Sequence, residues 1–239
     1  MKGQPVAKQE SKPRQTEDDQ QKGFRPKSIL REYAETIIIC VLLVLFLQGF
    51  VVMRSKVPTG SMLNTLLIGD YILINRNLYG CPGEEPAPWL GQRHIERGDV
   101  MVFQSKEDPE IDLVKRVIGL PGETIELIRG TVFINGEPLD EPYVLPEHNL
   151  ALPSMPPRVI PAHSFFMMGD NRDNSRDSRA WGTIPRSLVK GRAFFIWWSY
   201  EEMRNDHLNT GIKRLYSIAR KIPHLATKTR WRRLFSRIR

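Results

Sequence analysis

Residues 112–139 read DLVKRVIGLPGETIELIRGTVFINGEPL, and this stretch decides the fold. Its first part, DLVKRVIGL (112–120), is rich in β-branched residues, which predicts a strand. Pro121-Gly122 suits the two central positions of a type II turn, because proline presets φ and glycine accepts a positive one. TVFINGEPL (131–139) carries Asn135-Gly136 after a strand, the pair that a type I′ hairpin turn prefers. Turn signals this close together predict antiparallel hairpins.

Outward from there, DYILINRNLYG (70–80) and GDVMVF (98–103) read as strands before it, and SFFMMGD (164–170) and RAFFIWWSY (192–200) as strands after it. Residues 80–93, with Pro82, Pro86 and Pro88, read as a loop. The proline-studded segment 140–163 is expected to be irregular. No internal repeat is present. The expectation is a mostly-β, single-core domain of antiparallel hairpins and small barrels, about residues 57–200.

At 239 residues the chain has room for one sizeable domain or two small ones. Its net charge of +8 suits either nucleic acid or an anionic membrane surface. No zinc-finger, RNA-recognition or helix-turn-helix pattern accompanies the charge, so no nucleic-acid partner is expected. The two cysteines, Cys40 and Cys81, have no zinc-site spacing and read as free thiols.

Thr36 to Met53 carries no charged residue between Glu35 and Arg54. Eighteen helical residues would cover roughly 27 Å, close to the bilayer core. A cleavable signal peptide would have a shorter apolar region followed by a small-x-small site. Phe50, Val51, Val52 and Met53 lead instead straight to Arg54 and Lys56, so an uncleaved anchor is predicted. The eight Lys and Arg residues of segment 1–35 put the N-terminus in the cytoplasm. The expected organisation is a disordered cytoplasmic tail (1–35), a transmembrane anchor (36–53), an extracytoplasmic domain (54–203) and a basic tail (204–239). In that tail Trp231, Leu234, Phe235 and Ile238 recur at helical spacing. It reads either as solvated chain or as an amphipathic helix on anionic lipid.

Three segments carry polar groups that a β-core does not need. In Pro58-Thr59-Gly60-Ser61-Met62, Gly60 permits a sharp turn that projects Ser61, but a bare serine needs a base to become a nucleophile. Lys115 shares a strand face with Leu113 and Val117. It reads either as an edge-strand charge or as a desolvated amine with a lowered pKa. MGDNRDNSRDSRAWG (168–182) is dense in Asp, Asn and Ser; as a calcium loop it fails, because a start at Asp170 puts Trp181 where a Glu is required. A self-satisfied cluster of ion pairs and hydrogen bonds fits better. Among the histidines only His163 lies near a dense polar cluster, and in PAHS (161–164) it reads as a turn residue rather than a catalytic base.

Together, in this order and behind an anchor, these segments resemble bacterial type I signal peptidase (leader peptidase), a membrane-bound family with a Ser–Lys dyad. PTGSMLNTLLIGDYI (58–72) matches its nucleophile box, GDVMVF and DLVKRVIGLPGE (112–123) its base region, and MGDNRDNSRDSRAWG its most specific box. The resemblance covers about residues 55–200. It implies Ser61 as nucleophile and Lys115 as general base, with the Thr59 hydroxyl and the Ser61 N–H as oxyanion hole. It further implies that Ser175 orients the Lys115 amine, and that the pairs Asp177–Arg179 and Asp170–Arg116 brace the site. Substrate side chains would lie against Val57, Pro58, Met62, Leu66, Leu113 and Val114.

Asn64 departs from the family, which usually has proline there, and is expected to loosen the turn after Ser61. The resemblance implies no metal and no organic cofactor. The implied partners are signal peptides of exported preproteins, the phospholipid membrane and the protein-export translocon; the implied place is the bacterial plasma membrane, in single-pass form. Two alternatives stay open: a related Ser–Lys peptidase dedicated to one substrate, such as a pilin or conjugation factor, and a catalytically silent module that binds extended segments.

Overall fold

The computed structural model describes residues 29–46, 51–82, 84–148, 154–201 and 225–239. The chain divides into two units, one ending at Val44 and the other running from Leu45 to Arg239.

Helix α1 spans Ile29–Phe46, all but its last two residues in the first unit. Arg31 pairs with Glu35 one turn on, and the Thr36 hydroxyl donates to the Glu32 carbonyl. The residues from Ile37 to Phe46 are all exposed. Among the described residues no helix is long and apolar enough to cross a membrane. The eighteen residues of α1 include Arg31, Glu32 and Glu35, and residues 47–50, in the second half of the expected anchor, lie outside the described residues. The expected tail 1–28 lies outside them too.

The far end of the expected anchor is corrected. Strand β1 already begins at Val52 and runs to Lys56, and Met53 packs on a core cluster of the second unit. Val52 and Met53 are apolar because they belong to a sheet.

Among the described residues that unit has twelve strands. After β1 come β2 (Asp70–Asn75), β3 (Val100–Gln104), β4 (Asp112–Gly119), β5 (Thr124–Ile128), β6 (Thr131–Ile134) and β7 (Glu137–Pro138). They are followed by β8 (Met155–Val159), β9 (Ser164–Met168), β10 (Ile184–Pro185), β11 (Val189–Ser199) and β12 (Ser236–Arg237). The large sheet runs β1-β2-β11-β3-β4-β9-β10, with β12 added on β11; the small one runs β7-β6-β5-β8. All pairings are antiparallel. The mostly-β, antiparallel, hairpin-built fold is thus the one expected, laid out as two open sheets.

The turns form for the reasons read from the sequence. Gly122 has φ +83°, and Glu123 N–H donates back to the Leu120 carbonyl across Pro121-Gly122. Asn135 and Gly136 both have positive φ between Ile134 and its partner Glu137, as a type I′ turn requires.

Segment 140–163 is not wholly irregular, because MPPRV forms β8. The strand tolerates Pro156 and Pro157 because it is an edge strand, and its register against β5 slips at that point. Four consecutive residues of β8 are exposed.

Alternation on β3 and β4 divides the core. Val100, Val102 and Val114 join Val57, Met62, Leu66 and Ile72 in one cluster. Met101, Phe103, Val117 and Leu113, one residue out of step, join Phe165 and Met167 in another on the opposite face. A third cluster fills the small sheet and reaches Ile118, Phe166 and Met168.

The basic tail is corrected as well. Residues 202–224 lie outside the described residues, but 225–239 return to the domain. After the short helix α2 (Ser178–Trp181) in the main domain, a second short helix, α3 (Leu225–Lys228), leads into β12. Ile238 is buried in the first core cluster, whereas Trp231 and Phe235 are exposed. The four apolar residues therefore share no helical face, and the segment is neither solvated chain nor an amphipathic helix.

Candidate active site

β4 has β3 on one side and β9 on the other. Lys115 therefore sits on an interior strand, and the edge-charge reading is excluded. Its cross-strand partner is Met101, and its neighbours on the same face are Leu113 and Val117. In this apolar setting Lys115 is 3 % exposed. Burial lowers its pKa to about 8, against the opposing pull of the Asp177 and Asp170 carboxylates and with a smaller push from Arg179.

The Lys115 Nζ lies 2.5 Å from the Ser61 Oγ. Ser61 heads a tight turn, in which Leu63 N–H donates to the Gly60 carbonyl and Leu66 N–H to the Met62 carbonyl. Behind the turn, the chain after β9 holds it in place. Asn171 N–H donates to the Ser61 carbonyl at 3.1 Å, and the Asn171 side-chain amide donates to the Gly60 carbonyl at 3.0 Å. A Cβ on Gly169 would stand 2.4 Å from the Ser61 carbonyl oxygen and 2.3 Å from the Ser175 Oγ, so only glycine lets the strands approach this closely.

Three ion pairs, largely buried, frame this clamp. Arg116 grips Asp170 with Nε–Oδ1 at 2.8 Å and a second bond at 2.7 Å. Both side chains are at most 2 % exposed. The guanidinium also donates to the Gly98 carbonyl and stacks 4.0 Å from the centre of the Tyr143 ring. Thr65 donates from its hydroxyl to Asp170 Oδ2 at 2.5 Å. Arg179 forks onto Asp177 at 2.7 and 2.8 Å, while Asp177 Oδ2 accepts from Gly169 N–H and Oδ1 caps α2 at Arg179 N–H. Arg172, fully buried, pairs with Glu141. Most polar groups of this dense segment find partners within it or on Thr65, Arg116 and Glu141 around the clamp, and its charges act on Lys115 less than burial does.

The other expected residues are placed as follows. The Ser175 Oγ is buried and has no hydrogen-bond partner; no bond joins it to Lys115. Thr59 is exposed, two residues before Ser61. The six residues expected along the substrate do not form one wall. Val57, Met62 and Leu66 are buried with Val114 in one cluster, while Leu113 packs in the other. Pro58 is half-buried. His163 occupies a turn at φ +57° and lines, with Tyr79 and Arg186, a cavity that contains neither Ser61 nor Lys115.

Asn64 takes φ +88°, which proline cannot adopt, and its side-chain amide donates to the Tyr143 carbonyl at 2.9 Å. The turn is therefore tethered here, and the expected loosening is replaced by a different tie. Sequence reasoning did not single out Asn171, Gly169 or Thr65. All three lie in the quoted boxes, but much of their work is done on or by backbone atoms, which leaves no pattern of residue types.

A serine hydroxyl within bonding reach of a buried, partly neutral amine, on an antiparallel β scaffold, is the arrangement that a serine hydrolase with a lysine base would use. Comparison with known proteins narrows the class. The family model described as signal peptidase, peptidase S26, matches residues 30–198. Signal peptidase I of Pseudomonas fluorescens is 35 % identical over 222 residues, covering 75 % of this chain and 76 % of its own. Signal peptidase I of Leptolyngbya laminosa is 36 % identical over 198 residues, covering 77 % and 88 %. Signal peptidase I S of Bacillus subtilis is 32 % identical over 192 residues, covering 77 % and 96 %. The chain belongs to the peptidase S26 family, and it is a serine endopeptidase.

Proposed function

We propose that this protein removes N-terminal signal peptides from exported preproteins, cutting after small residues of the A-x-A type. The observation that carries the reading is the 2.5 Å approach of Lys115 Nζ to Ser61 Oγ on an interior, apolar strand face. The neutral amine accepts the Ser61 proton as Oγ attacks the scissile carbonyl carbon. The Thr59 hydroxyl and the Ser61 N–H donate to the oxyanion. As the C–N bond breaks, the Lys115 ammonium returns the proton to the leaving amine. Lys115 then deprotonates a water that hydrolyses the acyl-enzyme ester, and Ser61 is regenerated.

Ser175 orients the amine in this reading once substrate closes the site. The pairs Asp170–Arg116 and Asp177–Arg179 hold the loop that clamps Ser61. The substrate's small side chains rest beside Pro58 and Val114, above the packed Val57, Met62 and Leu66, with Leu113 on the strand ahead of Lys115. A floor already filled by core side chains leaves room for alanine and little more.

The apolar run from Thr36 anchors the chain in the plasma membrane, with the basic residues before it in the cytoplasm. The domain works on the other face, beside phospholipid headgroups and the translocon that delivers its substrates. A cleavage site emerges at that surface, on the side of the membrane where this reading puts Ser61.

A panel of unrelated preproteins tests the function. Cleavage of several supports the general role, cleavage of one alone supports the dedicated peptidase, and cleavage of none refutes both. Replacing Ala by Leu immediately before the cut should slow cleavage at least a hundredfold; equal rates would reject the filled-floor pocket.

A further inference from the structure

We propose that Arg233 is a positioning residue for cleavage, and that residues 229–239 are thereby part of the working site. The proposal rests on the reading of Ser61 as nucleophile given above. The segment lies beyond residue 198, where the family model ends.

The chain leaving the nucleophile turn must cross from Met62 to the start of β2 at Asp70. Three of its acceptors are held by arginines of the distant segment. An Arg233 amino group donates to the Thr65 carbonyl at 2.9 Å and pairs with Asp70 Oδ2 at 2.6 Å. Arg230 donates to the Ile68 carbonyl at 2.9 Å. Asp70 has no exposed surface, and its remaining bonds come from Leu67 N–H and the Ser199 hydroxyl. Arg233 is the nearest cation to it; Arg230 stands at 3.9 Å.

Thr65 is the junction. Its carbonyl is held by Arg233 and its hydroxyl donates to Asp170, the residue next to Asn171. Asn171 in turn binds the Ser61 and Gly60 carbonyls. The turn is thus gripped before Ser61 by the Asn171 clamp and after it by Arg233. The gripping segment is itself fixed. β12 lies on β11, Ile238 shares a core cluster with Met62 and Leu66, and the Arg239 carbonyl accepts from Arg116. Displacements near 1 Å at a reacting atom cost rates on the order of a hundredfold, so a grip on Thr65 reaches the chemistry without touching substrate.

Neutralising Asp70 is a structural role that any cation could fill, and the test separates it from positioning. Full-length Arg233→Met and Arg233→Lys are compared with wild type in detergent, on a peptide with Ala at the first and third positions before the cut. Lysine restores a charge beside Asp70 but lacks the planar fork that serves carboxylate and carbonyl together. Expected for Arg233→Met is a loss of tenfold or more in kcat with KM within about twofold, measured well below Tm. The pH midpoint of kcat/KM should also rise, because Lys115 loses Ser61 and gains water. Arg233→Lys should recover Tm while kcat stays at least fivefold low. If Arg233→Met does not fold, Arg233→Lys carries the test, with Arg230→Met beside it expected to lower kcat by less.

Unchanged kcat in the folded variants, or a loss that lysine fully restores together with Tm, overturns the positioning role. A wild-type chain that cleaves nothing refutes the peptidase reading instead, so the two failures are distinct.

Discussion

Lys115→Met should make the protein more stable at neutral pH while abolishing its activity. The amine is buried among Leu113, Val117 and Met101, and its pKa falls from 10.5 to about 8. In the unfolded chain the group keeps its ordinary value, so between these two pH values the unfolded state binds the proton and the folded state does not. Stability therefore rises with pH across this window, and the cost of holding the ammonium is complete below about pH 8. A fall from 10.5 to about 8, at 1.36 kcal/mol per pH unit, makes that cost about 3 kcal/mol. Methionine keeps the stem and removes the charge, but forfeits the bond to Ser61, worth about 1 kcal/mol. The net gain at pH 7 is about 2 kcal/mol, or roughly 4–8 °C in Tm for a domain of this size. The assay is thermal unfolding of both proteins in the same detergent, followed by tryptophan fluorescence at pH 7 and 10.5. Taking the difference between them at each pH cancels every other titrating group. The gain should be present at pH 7 and gone at pH 10.5. A variant less stable than wild type at pH 7, or a difference independent of pH, would refute burial as the cause of the shift.

The same amine sets the activity profile: kcat/KM should rise tenfold per pH unit below about 8 and level off above it, as stopped assays across pH 6–10 would record. Ser61→Ala and Lys115→Arg should each be inactive in that assay, whereas His163→Ala should leave the profile unchanged. Gly169→Ala forces a methyl against the Ser61 carbonyl and should lower kcat at least tenfold with the far-ultraviolet circular dichroism retained. Asp170→Asn strands the buried Arg116 guanidinium and should cost 3–5 kcal/mol or about that in urea unfolding.

How far the fold was legible depended on whether its cause was local. Pro121-Gly122 and Asn135-Gly136 announce their turns because those residues alone tolerate the required dihedrals. Arg129-Gly130 makes an equivalent turn between β5 and β6, with both φ positive, but arginine is no turn signal and the site passed unread. β8 was hidden by its prolines, which weigh against a strand unless its edge position is known. Lys115 could not be placed from its own segment, since β9, which converts β4 from edge to interior, follows about fifty residues later. Adjacent tryptophans on a strand are expected to face opposite ways, but the register of β11 slips between Ile196 and Trp198. Both Trp197 and Trp198 are half-buried, against Tyr71 and Trp231 respectively. The arginines after Thr229 looked like solvated charge because their partners, Thr65, Ile68 and Asp70, lie more than 150 residues away.

The prolines of the small sheet carry a consequence for life beside unfolded chains. Its two outer strands are β7, which ends in Pro138, and β8, which contains Pro156 and Pro157. Each proline lacks the N–H that a docking strand would accept from. An enzyme supplied with extended polypeptide meets a steady stream of segments able to template onto any open ladder. With both borders of this sheet interrupted, passing chains find no continuous seam there on which to nucleate an aggregate.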